Sequence, residues 1–142
     1  MYHTTLEENA ENVIRNHGEE AFPNECVGFL YGYEIDGKRV INFANPINNS
    51  KDGDQRRRFE VSAKDYMKAE QYAIINNTTL LGVYHSHPQH PAIPSEHDLN
   101  PALPFFSYII VSVLDGKSDK LYSWRLMETE RKFEEEPLIK QS

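Results

Sequence analysis

The sequence predicts one α/β domain with the element order αβββαβαββ. Three observations carry this: apolar residues at helical spacing near the N-terminus, an Asp-Gly hairpin signal between two strand-like runs, and the continuous apolar run YIIVSVL at 108–114. With 142 residues, of which 39% are hydrophobic and 11% aromatic, the chain can bury a core of its own.

The elements follow in order. Thr5-Leu6-Glu7-Glu8 has the spacing of a capping box, and Leu6, Ala10, Val13 and Ile14 share one helical face, with Gly18 as a stop. Cys26 to Ile35 reads as a strand, Asp36-Gly37 as its hairpin turn, and Lys38 to Ala44 as the returning strand. Asn45 to Arg58 is a polar loop, and Phe59 to Val61 a short third strand. Ser62-x-x-Asp65 opens a second helix whose inner face is Tyr66, Ala69, Ala73 and Ile74. Thr79 to His87 is a strand, Ser95 caps a short helical segment, and Tyr108 to Leu114 is apolar enough for a strand buried on both faces. Asp115 to Asp119 turns the chain into a last strand, Lys120 to Met127. Residues 128–142 form a charged tail with no assigned element, so the domain spans 1–142.

Composition narrows the function. A net charge of −7 argues against a general nucleic-acid binder, since phosphate neutralisation needs clustered Lys and Arg. A single cysteine rules out an internal disulfide and fits a reducing compartment. The N-terminal stretch MYHTTLEENAENVIRNH lacks the apolar core of a signal peptide. No run approaches the roughly 18 apolar residues that span a bilayer. The expectation is a soluble, cytoplasmic protein that neither enters membranes nor binds nucleic acid.

Chemistry concentrates in Val83 to Asp98, VYHSHPQHPAIPSEHD, with four histidines and prolines at every third position. Side chains at i and i+2 of a strand point the same way, so His85 and His87 present two imidazoles to one spot. Two such nitrogens suit a borderline-soft cation such as zinc, and Asp98 is the candidate for a third ligand. Ser-x-x-Asp by itself is usually a helix cap, and Ser62-x-x-Asp65 is read as nothing more. His-x-His alone is more often a polar strand end. The joint pattern His-x-His-x₇-Ser-x-x-Asp, however, arises by chance roughly once in a thousand such sequences, which favours the metal site. Two histidines, a carboxylate and water on zinc imply hydrolysis, and hydrolysis needs a general base. Residue types do not choose it among twenty-two acids; Glu25, just before an apolar strand, is one candidate.

NECVGFLYG and YHSHPQHPAIPSEHD together resemble the JAMM (MPN+, Mov34-type) metalloprotease family. That family's pattern is a remote glutamate, His-Ser/Thr-His-Pro, and Ser-x-x-Asp after a seven-residue gap, and no motif position departs from it here. The resemblance extends from the first helix to the last strand. It implies that His85, His87 and Asp98 hold one Zn²⁺ per chain, that Glu25 activates water, and that the Ser95 hydroxyl helps stabilise the oxyanion. It further implies a mixed central sheet flanked by helices, of the cytidine deaminase-like type. Within the family the chain looks like the small stand-alone bacterial members associated with ubiquitin-like sulfur carrier proteins. Cleavage of an amide bond after the carrier's C-terminal Gly-Gly is the implied reaction. A homodimer is left open.

Other residues have plainer readings. Cys26 is expected to be a buried structural thiol rather than a nucleophile. His90 and His97 are expected to be exposed loop histidines, with proton shuttling or substrate contact as the alternative. Arg56, Arg57 and Arg58 are a solvated loop end or, alternatively, a dock for an acidic carrier or its carboxylate. Three rival functions stand beside the isopeptidase. A zinc deaminase fails, because its Pro-Cys-x-x-Cys signature needs more than one cysteine. A zinc-bound interaction module and a general small-peptide metallopeptidase both fit the ligand set.

Overall fold

The computed structural model describes residues 3–99 and 101–141. Their elements are β1 (His3–Glu7), α1 (Glu8–Ala21), β2 (Val27–Ile35), β3 (Lys38–Ile47), α2 (Ala63–Ile75), β4 (Thr79–Pro88), α3 (Glu96–Leu99), β5 (Ser107–Leu114), β6 (Lys117–Met127), β7 (Lys132–Glu136) and β8 (Leu138–Gln141). The eight strands form one mixed sheet in the order β7-β6-β5-β4-β2-β3-β1-β8. Strand β4 runs parallel to β5 and antiparallel to β2, and β1 is parallel to both β3 and β8.

Period-two alternation divides the sheet into two cores. Leu30, Leu81, Tyr84, Ile109 and Val111 pack with Ala10 and Ile14 of α1. Val27, Phe29, Tyr31, Val83 and Tyr108 pack with Ala69 and Ala73 of α2. Strand β5 is buried from Ser107 through Val113, as its unbroken apolar run demands. At the hairpins, Asp36 and Gly37 both have positive φ (51° and 77°), as do Asp115 and Gly116 (52° and 84°), the backbone of a tight type I′ connection.

The sheet closes on itself at one end. Strands β7 and β8 lie at opposite limits of the strand order, yet Pro137 alone separates them. Two Cα steps span under about 8 Å, so the two edges meet there. Glu136 fastens the seam. Its buried carboxylate accepts from Thr4 Oγ1 at 3.0 Å, Ser123 Oγ at 2.6 Å and Arg125 Nε at 2.7 Å.

Several expectations are corrected. The observed order is βαββαβαββββ: no strand forms at 59–61, while β1, β7 and β8 are additional, so αβββαβαββ does not hold. Phe59 is apolar because its ring stacks on His85, with centroids 4.3 Å apart, and not because it joins the sheet. Thr5 lies in β1, and α1 starts at Glu8 behind Glu7 with no side-chain cap, because the parallel ladder to Arg39 and Val40 claims the residues read as a capping box. Helix α1 also runs past Gly18 to Ala21; Gly18 is buried where the helix meets Val113, and a side chain there would crowd the sheet. Ile74 is 79% exposed rather than inward-facing, since Ala69 and Ala73 already fill the helix contact. The charged tail supplies β7 and β8: Lys132, Glu134, Glu135 and Lys140 are exposed, while Glu136 is buried at the seam.

Candidate metal centre

The site is built by one strand pairing and one short turn. Antiparallel β2 and β4 place Val27 opposite His85. Beyond that pair, Ser86 extends the ladder: its N–H donates to the Cys26 carbonyl at 3.2 Å, and its Oγ accepts from the Cys26 N–H at 2.8 Å. Continuing this register sets Glu25 across from His87. Val83, His85 and His87 share the α2 side of β4, and Tyr84 and Ser86 the α1 side.

The third group arrives from the loop after β4. That loop is held at several points: Trp124 Nε1 donates to the Ala92 carbonyl at 3.1 Å, and Ser112 Oγ to the His90 carbonyl at 2.7 Å. Ser95 and Asp98 then form a reciprocal cap on α3. The Ser95 N–H donates to Asp98 Oδ2 at 2.8 Å, and the Asp98 N–H to Ser95 Oγ at 3.3 Å. This turns the Asp98 carboxylate toward the histidines.

The convergence is close. His85 Nε2 and His87 Nε2 lie 3.1 Å apart, and each is 3.2 Å from an Asp98 oxygen. His85, His87 and Asp98 are all buried, and their ligand atoms lie within 4.8 Å of one another, a group that could hold a metal ion. His87 Nδ1 is 2.8 Å from the Pro91 carbonyl, which only accepts, so Nδ1 carries the proton and the Nε2 lone pair faces the centre. Three electron-rich atoms so placed, with no Lys or Arg of the described residues between them, fit a divalent ion.

The electrostatics agree. Burial drives the His85 imidazole toward its neutral form. Burial acts the same way on His87, but its bonds to Asp98 and Pro91 hold it above the ordinary histidine value. Asp98 is raised by its own burial, yet the two imidazoles and the Ser95 N–H hold it well below the usual carboxylate range. Glu25 behaves oppositely. Burial pushes it up to about 8, its exposure is 6%, and its Oε1 has no hydrogen-bond partner.

Glu25, His87 and Ser95 line one cleft of about 350 Å³, together with His90, His97 and Arg57. Ser95 is exposed there, and its hydroxyl proton meets no acceptor among the described residues. His90 and His97 are exposed as expected, but His97 lies in α3 rather than in a loop. Arg56 reaches neither this cleft nor the larger cavity beyond Asp98, which Arg58 lines. Cys26 faces α1, away from the centre; it is 2% exposed and burial raises its thiol to about 12, so it is not a nucleophile. Sequence reasoning gave no role to Ser86, which clamps Cys26 and so positions Glu25, nor to Asn49, whose side chain donates to the carbonyls of Glu25 and Arg58. Ser86 sits between the two histidines, which was a usable signal; Asn49 offered none.

No helix among the described residues is long and apolar enough to cross a membrane. A family model described as prokaryotic homologs of the JAB domain matches residues 7–127. A solution structure of a Desulfitobacterium hafniense protein is similar at 27% identity and TM-score 0.85, covering 98% of this chain and 93% of that one. A Salinibacter ruber protein is similar at 34% identity and TM-score 0.74, covering 97% and 92%. A JAB1/MPN domain protein from Archaeoglobus fulgidus shares the fold at 22% identity and TM-score 0.64, covering 97% and 99%. No curated protein matches. With 121 contiguous positions from Glu7 to Met127 inside the family model, the chain belongs to the prokaryotic homologs of the JAB domain.

Proposed function

We propose that the protein is a zinc-dependent peptidase that hydrolyses the amide bond after the C-terminal Gly-Gly of a ubiquitin-like or sulfur carrier protein. The observation that carries the reading is the buried convergence of His85, His87 and Asp98 within 4.8 Å. Two imidazoles and one carboxylate are the donor set of hydrolytic zinc sites, which keep a fourth position for water. Bound there, zinc supplies the Lewis acidity that makes water a nucleophile near neutral pH.

The chain's own groups do the rest. His87 is fixed in one tautomer by its Nδ1–H bond to Pro91, and Asp98 is aimed by the Ser95 N–H. Glu25 accepts the proton of the attacking water on a carboxylate oxygen that has no other partner. Burial raises its folded pKa to about 8, and a cation beside it would lower that and favour the carboxylate that takes the proton. The proton passes to the departing amine. The Ser95 hydroxyl donates to the carbonyl oxygen as charge builds on it, a contribution of about 10²–10³ in rate. A cleft of about 350 Å³ suits an extended glycine tail that brings no side chains. The same reading puts the protein in the cytoplasm, where Cys26 stays reduced.

Elemental analysis at neutral pH tests the metal, with about one zinc per chain expected, lost on His85→Ala or Asp98→Ala. Protein that retains no metal overturns the reading. Incubation with carrier adducts ending in Gly-Gly-X, read by product mass, tests the reaction. Glu25→Gln keeps the metal and loses hydrolysis, and full activity in that variant removes Glu25 from its role.

A further inference from the structure

Beyond Asp98 lies a larger cavity, about 530 Å³, that the reaction as described leaves unused. Phe59, Val83 and Tyr108 supply apolar walls, and the Phe59 ring is the one stacked on His85, so the cavity adjoins a ligand directly. The Leu103 N–H donates to the Tyr108 hydroxyl at 2.7 Å, which ties together two residues of the cavity wall.

Two cations line the same space. Neither the Lys51 nor the Arg58 side chain makes an ion pair or hydrogen bond among the described residues. The neighbouring Arg57, by contrast, pairs with Asp54 at 3.9 Å and faces the other cleft. Glu60 also lines the cavity and pairs with neither cation. In a chain of net charge −7, two free cations at an apolar cavity make a site for an anion on an apolar body. A Gly-Gly tail has no side chain to fill such a space. The residue on the other side of the scissile bond does.

We propose that this cavity receives the residue on the amine side of the scissile bond, its apolar side chain against Phe59, Val83 and Tyr108 and its free carboxylate held by Arg58 and Lys51. The inference rests on the peptidase reading and narrows it: the product released is a single apolar amino acid, not a lysine of a second folded protein. One water is consumed. The acyl carbon gains hydroxyl as its C–N bond breaks, and the freed α-amine gains the proton.

Calorimetric titration with N-acetyl-L-phenylalanine and with its C-terminal amide tests the site without requiring turnover. The carboxylate probe should bind at least about tenfold more tightly, the size of a charge-assisted hydrogen bond. In the Lys51→Ala/Arg58→Ala variant the preference should fall below about twofold, while the amide binds as before. Equal affinity for the two probes in the wild type, or a preference that survives in the variant, overturns the proposal. Both positions are at the surface, so the variant keeps the fold. A second arm compares hydrolysis of peptides ending in Gly-Gly-Phe with free and amidated termini. Faster cleavage of the free form, lost in the variant through KM, supports the assignment; equal cleavage of both overturns it. If neither is cut while the binding preference stands, the carboxylate site survives and the peptidase reading fails.

Discussion

Replacing Glu25 with glutamine should stabilise the metal-free protein, and by an amount that depends on pH. Glu25 is 6% exposed, has one oxygen without a partner, and is raised by burial from 4.5 to about 8. At 1.36 kcal/mol per pKa unit, ionising it inside the fold carries an upper value of about 5 kcal/mol. The folded state holds the proton more tightly than the unfolded chain. Stability therefore falls as pH rises from about 4.5 to about 8 and stays level above that, so far as this group acts. Glutamine fills the same space and cannot ionise. Urea unfolding of both proteins in excess chelator, from pH 4 to pH 9, should give equal stabilities near pH 4 and a variant more stable by several kcal/mol at pH 8.5. Saturating zinc should shrink the gap, because a nearby cation favours the carboxylate. Parallel pH curves, or a variant less stable at pH 8.5, would refute the argument.

Other perturbations probe the supports of the site. Ser86→Ala leaves the buried Cys26 N–H without its side-chain acceptor, so it should lower stability by about 1–3 kcal/mol in urea unfolding at unchanged slope. Trp124→Phe removes the bond to the Ala92 carbonyl and should cost about 1 kcal/mol. Competition with a chelator should show that this variant also releases zinc faster, since the freed loop carries Pro91, the partner of His87. Cys26, with its thiol raised to about 12, should resist alkylation at pH 8 until urea unfolds the chain. Rapid labelling of native protein would contradict its burial.

What could be read from the sequence follows the range of the interactions. His85 and His87 come from one strand and Asp98 from a cap eleven residues beyond His87, so local spacing alone brought them together. Glu25 could not be found that way. Its place opposite His87 depends on the register of β2 against β4, and residue types do not encode register between strands about sixty residues apart. The hairpin at Asp36-Gly37 was legible because its turn chemistry is local. Strand β1 was not: its residues HTTLE mimic a helix start, and only pairing with β3 and β8 reveals a strand. Residues 59–61 misled for the opposite reason. Phe59 and Val61 are apolar because they line the cavity, Phe59 also stacking on His85, and no ladder claims them.

The Glu136 seam also bears on how the molecule assembles. Thr4 and Glu136 are 132 residues apart, so knitting them together carries one of the largest loop-closure penalties the chain faces. Until β8 is laid against it, the outer edge of β1 stays open to neighbouring molecules. Refolding should accordingly be slowest, and most prone to clumping, at this step. Pulse-labelled hydrogen exchange would then find the amides of β1 and β8 protected last.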